Sequence, residues 1–289
     1  MLRPHLRLPL VLSAMLAMLP GIAPGITRAE TIAYWRFENG AANTVATGAG
    51  SILDLSGHGL NGTPVGNTVY RTDVPVNPVP ATGAANTRSL DFDVSGSRVA
   101  VADNPLLALT KSMTLEAFIR PRATGDFIRE IIFRGDDLGG LDPYRLTLSQ
   151  NLLGFVIMNN NVNADSLVYS IPSFDTWIHV AGTLDDATGA MNLYINGVSV
   201  ASKTTSVRPL GTLFGPNPGL GIGNVQSANY PQAFNGLIDE VRISDVALQP
   251  GQFLNASAVP GIDPAGMTSA LALLIGAVGL VERRRRDRT

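Results

Sequence analysis

Thr176–Ser202 reads TWIHVAGTLDDATGAMNLYINGVSVAS, and its pattern decides the fold class. Trp177–Leu184 and Met191–Ile195 are apolar-rich runs of strand length, and Asp185-Asp186-Ala187-Thr188-Gly189 between them is a turn-rich hairpin loop. Asn196-Gly197 then marks a type I′ turn, because both central residues of that turn need positive φ, which Asn and Gly tolerate. The chain leaves the turn into a third strand, Val198–Ala201.

The same period-two signal extends outward in both directions. Met113–Arg120 alternates Met113, Leu115, Ala117 and Ile119 against Thr114, Glu116, Phe118 and Arg120. Thr31–Phe37, Ser89–Asp93, Arg98–Ala102, Arg129–Arg134, Tyr144–Ser149, Leu152–Met158 and Leu167–Ile171 continue the series, and Gly236–Ser244 is the last strand. Gly219–Gly223 reads as a glycine-rich strand against a close neighbour, since no helix follows to make it a phosphate loop. Pro250–Asn255 is a candidate for one short helix. Many strands at short spacing with Gly, Pro and Asn turns predict an all-β antiparallel sandwich or barrel. The stretch Asn39–Arg88 is rich in Gly, Asn, Thr, Pro and Val, and has room only for short strands such as Thr63–Val65 and Thr68–Tyr70. A connection this long tends to be functional or to wrap a site.

The ends differ from the body. Leu8–Leu19 is an apolar run behind Arg3, His5 and Arg7, the layout of a secretory signal peptide, with cleavage expected after Ala29. Ala265–Val281 has no charge and is of the lower spanning length, and Arg283–Arg286 follow, so 265–289 reads as a transmembrane helix with a cytoplasmic basic end. Residues 30–250 are then the domain and 251–264 a linker. With 21 basic and 23 acidic residues in all, three Arg before residue 30, and five Arg and two acids after 263, the body keeps 13 basic and 21 acidic side chains. A net charge of −8 on the body argues against nucleic acid as a partner. The absence of cysteine excludes disulfides, thiolate metal sites and Cys catalysis.

Two resemblances follow from these residues. Val259-Pro260, the apolar segment and Arg283–Arg286 resemble the PEP-CTERM class of bacterial sorting signals, in the variant form of planctomycete-type surface proteins. The Pro-Glu-Pro triplet of that class is replaced here by Val259-Pro260-Gly261-Ile262-Asp263-Pro264. The resemblance implies a membrane-held envelope protein whose tail an exosortase-type enzyme would remove. AYWRFENG (Ala33–Gly40), DLSGHGLNGT (Asp54–Thr63), SMTLEAFIRP (Ser112–Pro121), Thr176–Ser202 and FNGLIDEVRISDVAL (Phe234–Leu248) together resemble the laminin G-like, concanavalin A-like jelly roll of bacterial surface proteins. This implies two antiparallel sheets, an extracellular glycan or protein ligand, and a structural Ca²⁺.

In such a jelly roll the first and last strands pair, which would bring Glu38 near Asp239, while the Asp54–Asn61 loop supplies a carboxylate, glycine carbonyls and an amide. Calcium takes six to eight oxygens of these types, so Glu38, Asp54, Asn61 and Asp239 are the expected ligands. The expected ligand-binding face is Glu116, Phe118 and Arg120, with His179 and Tyr194 on neighbouring strands, a mixture of aromatic and charged groups suited to sugars. Catalysis is not expected. The Glu-x-Asp-x-x-Glu strand of concanavalin-like glycoside hydrolases is absent, and no Gly-x-Ser-x-Gly elbow accompanies His179. Asp239 and Glu240 are adjacent, which would put them on opposite faces of a strand. The reading is an exported binding or adhesion module. A purely structural envelope protein is the alternative, and a glycoside hydrolase comes third.

Overall fold

The computed structural model describes residues 30–257, except 94, 123–124, 126, 139–141, 160–162 and 228–231. The signal peptide (1–29) and the transmembrane tail (265–289) expected from the sequence lie outside the described residues. Fifteen strands follow in chain order: β1 (Thr31–Trp35), β2 (Gly62–Val65), β3 (Val69–Arg71), β4 (Ser89–Phe92), β5 (Arg98–Ala102), β6 (Met113–Pro121), β7 (Ile128–Gly135), β8 (Tyr144–Ser149), β9 (Leu152–Met158), β10 (Ala164–Ser170), β11 (Ile178–Leu184), β12 (Ala190–Ile195), β13 (Val198–Thr204), β14 (Gly219–Ile222) and β15 (Gly236–Ser244). Among the described residues the helical turns are two 3-10 turns, Pro105–Leu107 and Pro250–Gln252, and no helix is long and apolar enough to cross a membrane.

The strands form two antiparallel sheets. One has the order β13-β12-β11-β6-β15-β4-β3, with β1 also on β15; the other has the order β10-β9-β8-β7-β14-β5-β2. The expected pairing of first and last strands is present, with Thr31 opposite Ser244 and Trp35 opposite Val241. The hairpin reading holds as well: Asn196 and Gly197 have φ of 51° and 79° and join β12 to β13.

Leu115, Ile119, Val180 and Leu193 of the first sheet meet Leu146, Phe155, Ile157 and Leu220 of the second in one core. Gly182 is required there, because a Cβ on it would lie 2.4 Å from the Phe155 ring. Gly221 of β14 likewise lies so close to the Asn224 carbonyl that a Cβ would come within 2.2 Å, as the glycine-rich strand reading anticipates.

The long connection joins both sheets, giving β2 to one and β3 to the other. β15 has a composite edge. Gly236–Ile238 pair with β4 and Val241–Ser244 pair with β1, while β6 runs along the other side. Where one partner hands over to the next, the β6 register shifts between Asp239 and Arg242, and Glu240 takes a φ of 49°. This bulge breaks the simple alternation on which the expectation of opposite faces rests, and Asp239 and Glu240 are both buried.

Candidate functional site

The outer face of the first sheet divides into a covered part and an open part. Glu116, Phe118, His179 and Tyr194 lie in the covered part and are all buried. This corrects the expectation that they form a ligand face. The segment following β15 crosses over them as a strap, with Leu248 and Phe253 on Ala181 and Tyr194 and Leu254 on Phe118, where Val79 of the long connection joins the cluster. The His179 ring meets Phe118 at 5.0 Å and Phe253 at 5.6 Å.

Polar bonds fasten the strap. Glu116 accepts from His179 Nε2 at 2.8 Å, from the Leu254 N–H at 2.9 Å and from Arg242 Nε at 2.6 Å, while Arg242 Nη2 donates to the Gln252 carbonyl at 2.7 Å. Burial alone would raise the Glu116 carboxyl. The His179 hydrogen bond, the Arg242 charge and the Leu254 N–H outweigh it and hold the group below its ordinary value.

Arg120 belongs to the open part. Across the sheet Asp91, Leu237 and Arg120 stand opposite one another on β4, β15 and β6. Arg122 follows Arg120 at period two, and Arg71 follows Val69, the partner of Asp91. These side chains line a cleft of about 280 Å³ with Asp73, Asp175 and Asn43. Asp91 joins two guanidiniums, accepting from Arg71 Nε at 3.0 Å and Arg122 Nη1 at 2.8 Å. Its hydrogen bond raises the Arg122 guanidinium above its ordinary range. Asp73 accepts from Arg120 and, at 2.7 Å, from the Trp177 indole N–H. Arg120 Nε donates to the Asp175 carbonyl at 3.0 Å, and Arg71 Nη1 to Asn43 at 3.2 Å. Of this set the sequence reading named only Arg120. The period-two spacing of Arg120 and Arg122 was a usable signal, but Arg71, Asp73 and Asp91 are joined to it only by tertiary pairing.

The four expected calcium ligands are not gathered into a cation cage. Asp54 accepts from the N–H groups of Tyr34, Ser56 and Leu60 and from the Ser56 hydroxyl, and Asn61 Oδ1 accepts from the Asp54 N–H. Glu38 accepts from the Thr87 N–H and hydroxyl and from the Arg88 N–H. Asp239 accepts from Asn86 Nδ2 and the Glu240 N–H. Burial, with the Glu240 charge added, pushes the Asp239 carboxyl well up, which disfavours the ionised form a cation needs. Glu240 itself is held by Tyr34 and Arg36. Among the described residues no three His, Asp or Glu side chains form a group able to hold a metal ion. These donor sets do not fit calcium.

A two-sheet antiparallel jelly roll with a small polar cleft on one outer face has the architecture of a lectin-like domain. The chain belongs to the concanavalin A-like lectin/glucanases superfamily, whose laminin G model matches residues 93–252. No curated protein sequence matches the chain. Among solved structures it is similar to domain 4 of AbnA, an extracellular arabinanase of Geobacillus stearothermophilus in complex with arabinotriose. That match has 20% identity, covers 79% of this chain and 98% of that one, and has a TM-score of 0.53. It is similar also to the receptor-binding domain of botulinum neurotoxin mosaic serotype C/D (17% identity, 77% and 49% covered, TM-score 0.53). A third similar structure is the binding domain of botulinum neurotoxin DC in complex with rat synaptotagmin II (18% identity, 78% and 50% covered, TM-score 0.52). The chain thus spans about half the length of these toxin chains. At such identities the likeness is one of fold.

Proposed function

We propose that the chain is an exported, membrane-held surface module that binds an extracellular glycan or protein ligand in the Arg71–Asp91–Arg122 cleft and performs no catalysis. The observation that carries this reading is the cleft itself: the partly exposed guanidiniums of Arg71 and Arg122 are fixed in place by the largely buried Asp91 carboxylate, over the buried side chain of Leu237. Preorganised polar groups around a little apolar surface are how binding sites fix a small polar ligand. The cleft carboxylates accept from arginines and an indole, an arrangement for holding hydroxyls rather than delivering a proton. The arabinanase domain with its arabinotriose and the toxin domain with its synaptotagmin support both ligand classes.

The test is a mixed glycan and surface-protein array probed with the chain and with Arg122→Ala. Binding lost in Arg122→Ala is the expected result. Binding retained at full strength would move the site elsewhere, and no binding at all would favour the purely structural alternative. Removal of residues 264–289 should release the protein into the medium, and an envelope-bound truncation would refute the anchor.

A further inference from the structure

We propose that the cleft takes an uncharged saccharide through a pair of neighbouring hydroxyl groups and discriminates against acidic glycans; this rests on the binding reading above. The argument is charge balance at close range. Arg71, Arg120 and Arg122 line the cleft, and so do Asp73, Asp91 and Asp175. Two of the carboxylates are ion-paired with those arginines: Asp91 with Arg71 and Arg122, and Asp73 with Arg120.

A sulfate, phosphate or carboxylate group is recognised by arginines whose charge is available to it. Here an anion would meet three guanidiniums whose charge is balanced by the three carboxylates Asp73, Asp91 and Asp175, and it would lie against those carboxylates. It could accept from the N–H groups that stay free, but its charge would then sit beside those carboxylates, and like-charge juxtaposition works against binding.

A hydroxyl has the opposite fit, because it donates and accepts at once. Asp91 between Arg71 and Arg122 presents donor, acceptor, donor in a row. Two adjacent sugar hydroxyls can accept from the flanking guanidiniums while donating to the carboxylate, without breaking either ion pair. Donors remain for this: a guanidinium carries five N–H groups, and the bonds described engage two on Arg71 and one on Arg122. Leu237, opposite both Asp91 and Arg120, is buried beneath them and closes the floor of the cleft, so a ring would meet mainly polar walls. At about 280 Å³ the cleft is small for a ligand site, which suits one short stretch or one end of a glycan chain.

The experiment titrates the purified full-length chain, Arg122→Ala and Asp91→Asn with two probe sets. The neutral set contains arabino-, galacto-, gluco- and manno-oligosaccharides, and the acidic set contains oligogalacturonates and sulfated galacto-oligosaccharides. Each is measured at low and high salt, with thermal melts to show that the variants fold. The expected result is binding of at least one neutral probe that changes less than about twofold between roughly 50 and 500 mM salt, since no net charge is there to screen. It should weaken about tenfold or more in Arg122→Ala and in folded Asp91→Asn. Acidic probes that bind more tightly than neutral ones and weaken with salt would overturn the proposal while leaving the glycan reading intact. Neutral binding indifferent to both variants would overturn the site. Binding of neither set would overturn the proposal and the glycan reading together.

Discussion

Glu130 shows at a single residue what the fold does to a charge. It lies in β7 and is fully buried, with Oε1 3.4 Å from Arg145 Nη1 and Oε2 lacking a hydrogen-bond partner among the described residues. Burial, with the Asp142 charge added, pushes its carboxyl up to about 8 against the opposing pull of Arg145. An unfolded glutamate ionises near pH ~4.3. Between that value and about 8 the unfolded chain has released a proton that the folded chain keeps. The stability carried by neutral Glu130 is therefore full below pH ~4.3 and is lost as pH rises through 8. Asp239, Glu240 and Asp142, also raised, add slope of the same sign. Glu130→Gln removes the ionisable group while keeping its shape. The variant should be more stable than the parent by roughly 3 kcal/mol at pH 7 and equal to it near pH 4. Denaturant melts across pH 4–8 give the difference curve directly, and a flat difference would mean that Glu130 is ionised in the folded protein.

At the scale of elements, the strands were legible and their coverings were not. The alternation of Met113–Arg120 identified β6 and its core face correctly, because Leu115, Ala117 and Ile119 repeat at the pleat period. The other face was expected to meet a ligand because Glu116, Phe118 and Arg120 mix charged and aromatic groups. It is nevertheless buried as far as Phe118, since a strap more than a hundred residues later in sequence lies on it. No local pattern announces that contact, and Glu116 and His179 read equally well as a ligand face or as strap anchors. Asp239 and Glu240 misled for a related reason: the bulge exists because β4 and β1 share an edge of β15, a fact of topology rather than of the strand's own residues.

The strap makes its own prediction. Glu116→Gln would keep the shape but remove the charge that His179 and Arg242 bond, leaving Arg242 partly unanswered. Breaking one member of a buried ion pair costs about 3–5 kcal/mol. Hydrogen exchange should quicken first at the Leu254 N–H, which Glu116 now accepts, and later in β11. Because the Glu116 carboxyl is held low, its contribution is present above the unfolded value near pH ~4.3 and is lost as pH falls below it. A variant whose strap amides exchange at the parental rate would show that apolar contacts of Leu248 and Phe253 hold the strap alone.

Over the whole molecule, closure depends on the long Asn39–Arg88 connection and on β1 meeting β15. The sequence placed both correctly: five motifs in order, ending in the strand that pairs with the first, amount to a topology. It misassigned the chemistry that holds the connection down. The motif around Asp54 resembles a cation loop because a carboxylate, glycines and an asparagine are also what a tight hydrogen-bonded turn needs. In the structure Asp54 bonds Tyr34 of β1, Ser56 and Leu60, and Asn61 bonds back to Asp54, so the loop is fastened to the first strand by N–H donors. Those bonds outweigh partial burial and hold the Asp54 carboxyl below its ordinary value. A cation stabilises a fold only by binding the folded state better than the unfolded one, and oxygens already accepting from backbone N–H groups are poorly placed to do so. The melting temperature of the protein should therefore be the same in excess calcium and in chelator. Asp54→Ala should lower it in both by about 5–10 °C, from roughly 2–3 kcal/mol of stranded donors at about 2–4 °C per kcal/mol. A drop on chelation that Asp54→Ala abolishes would restore the cation to this loop, with the N–H donors turned away from the carboxylate when it binds.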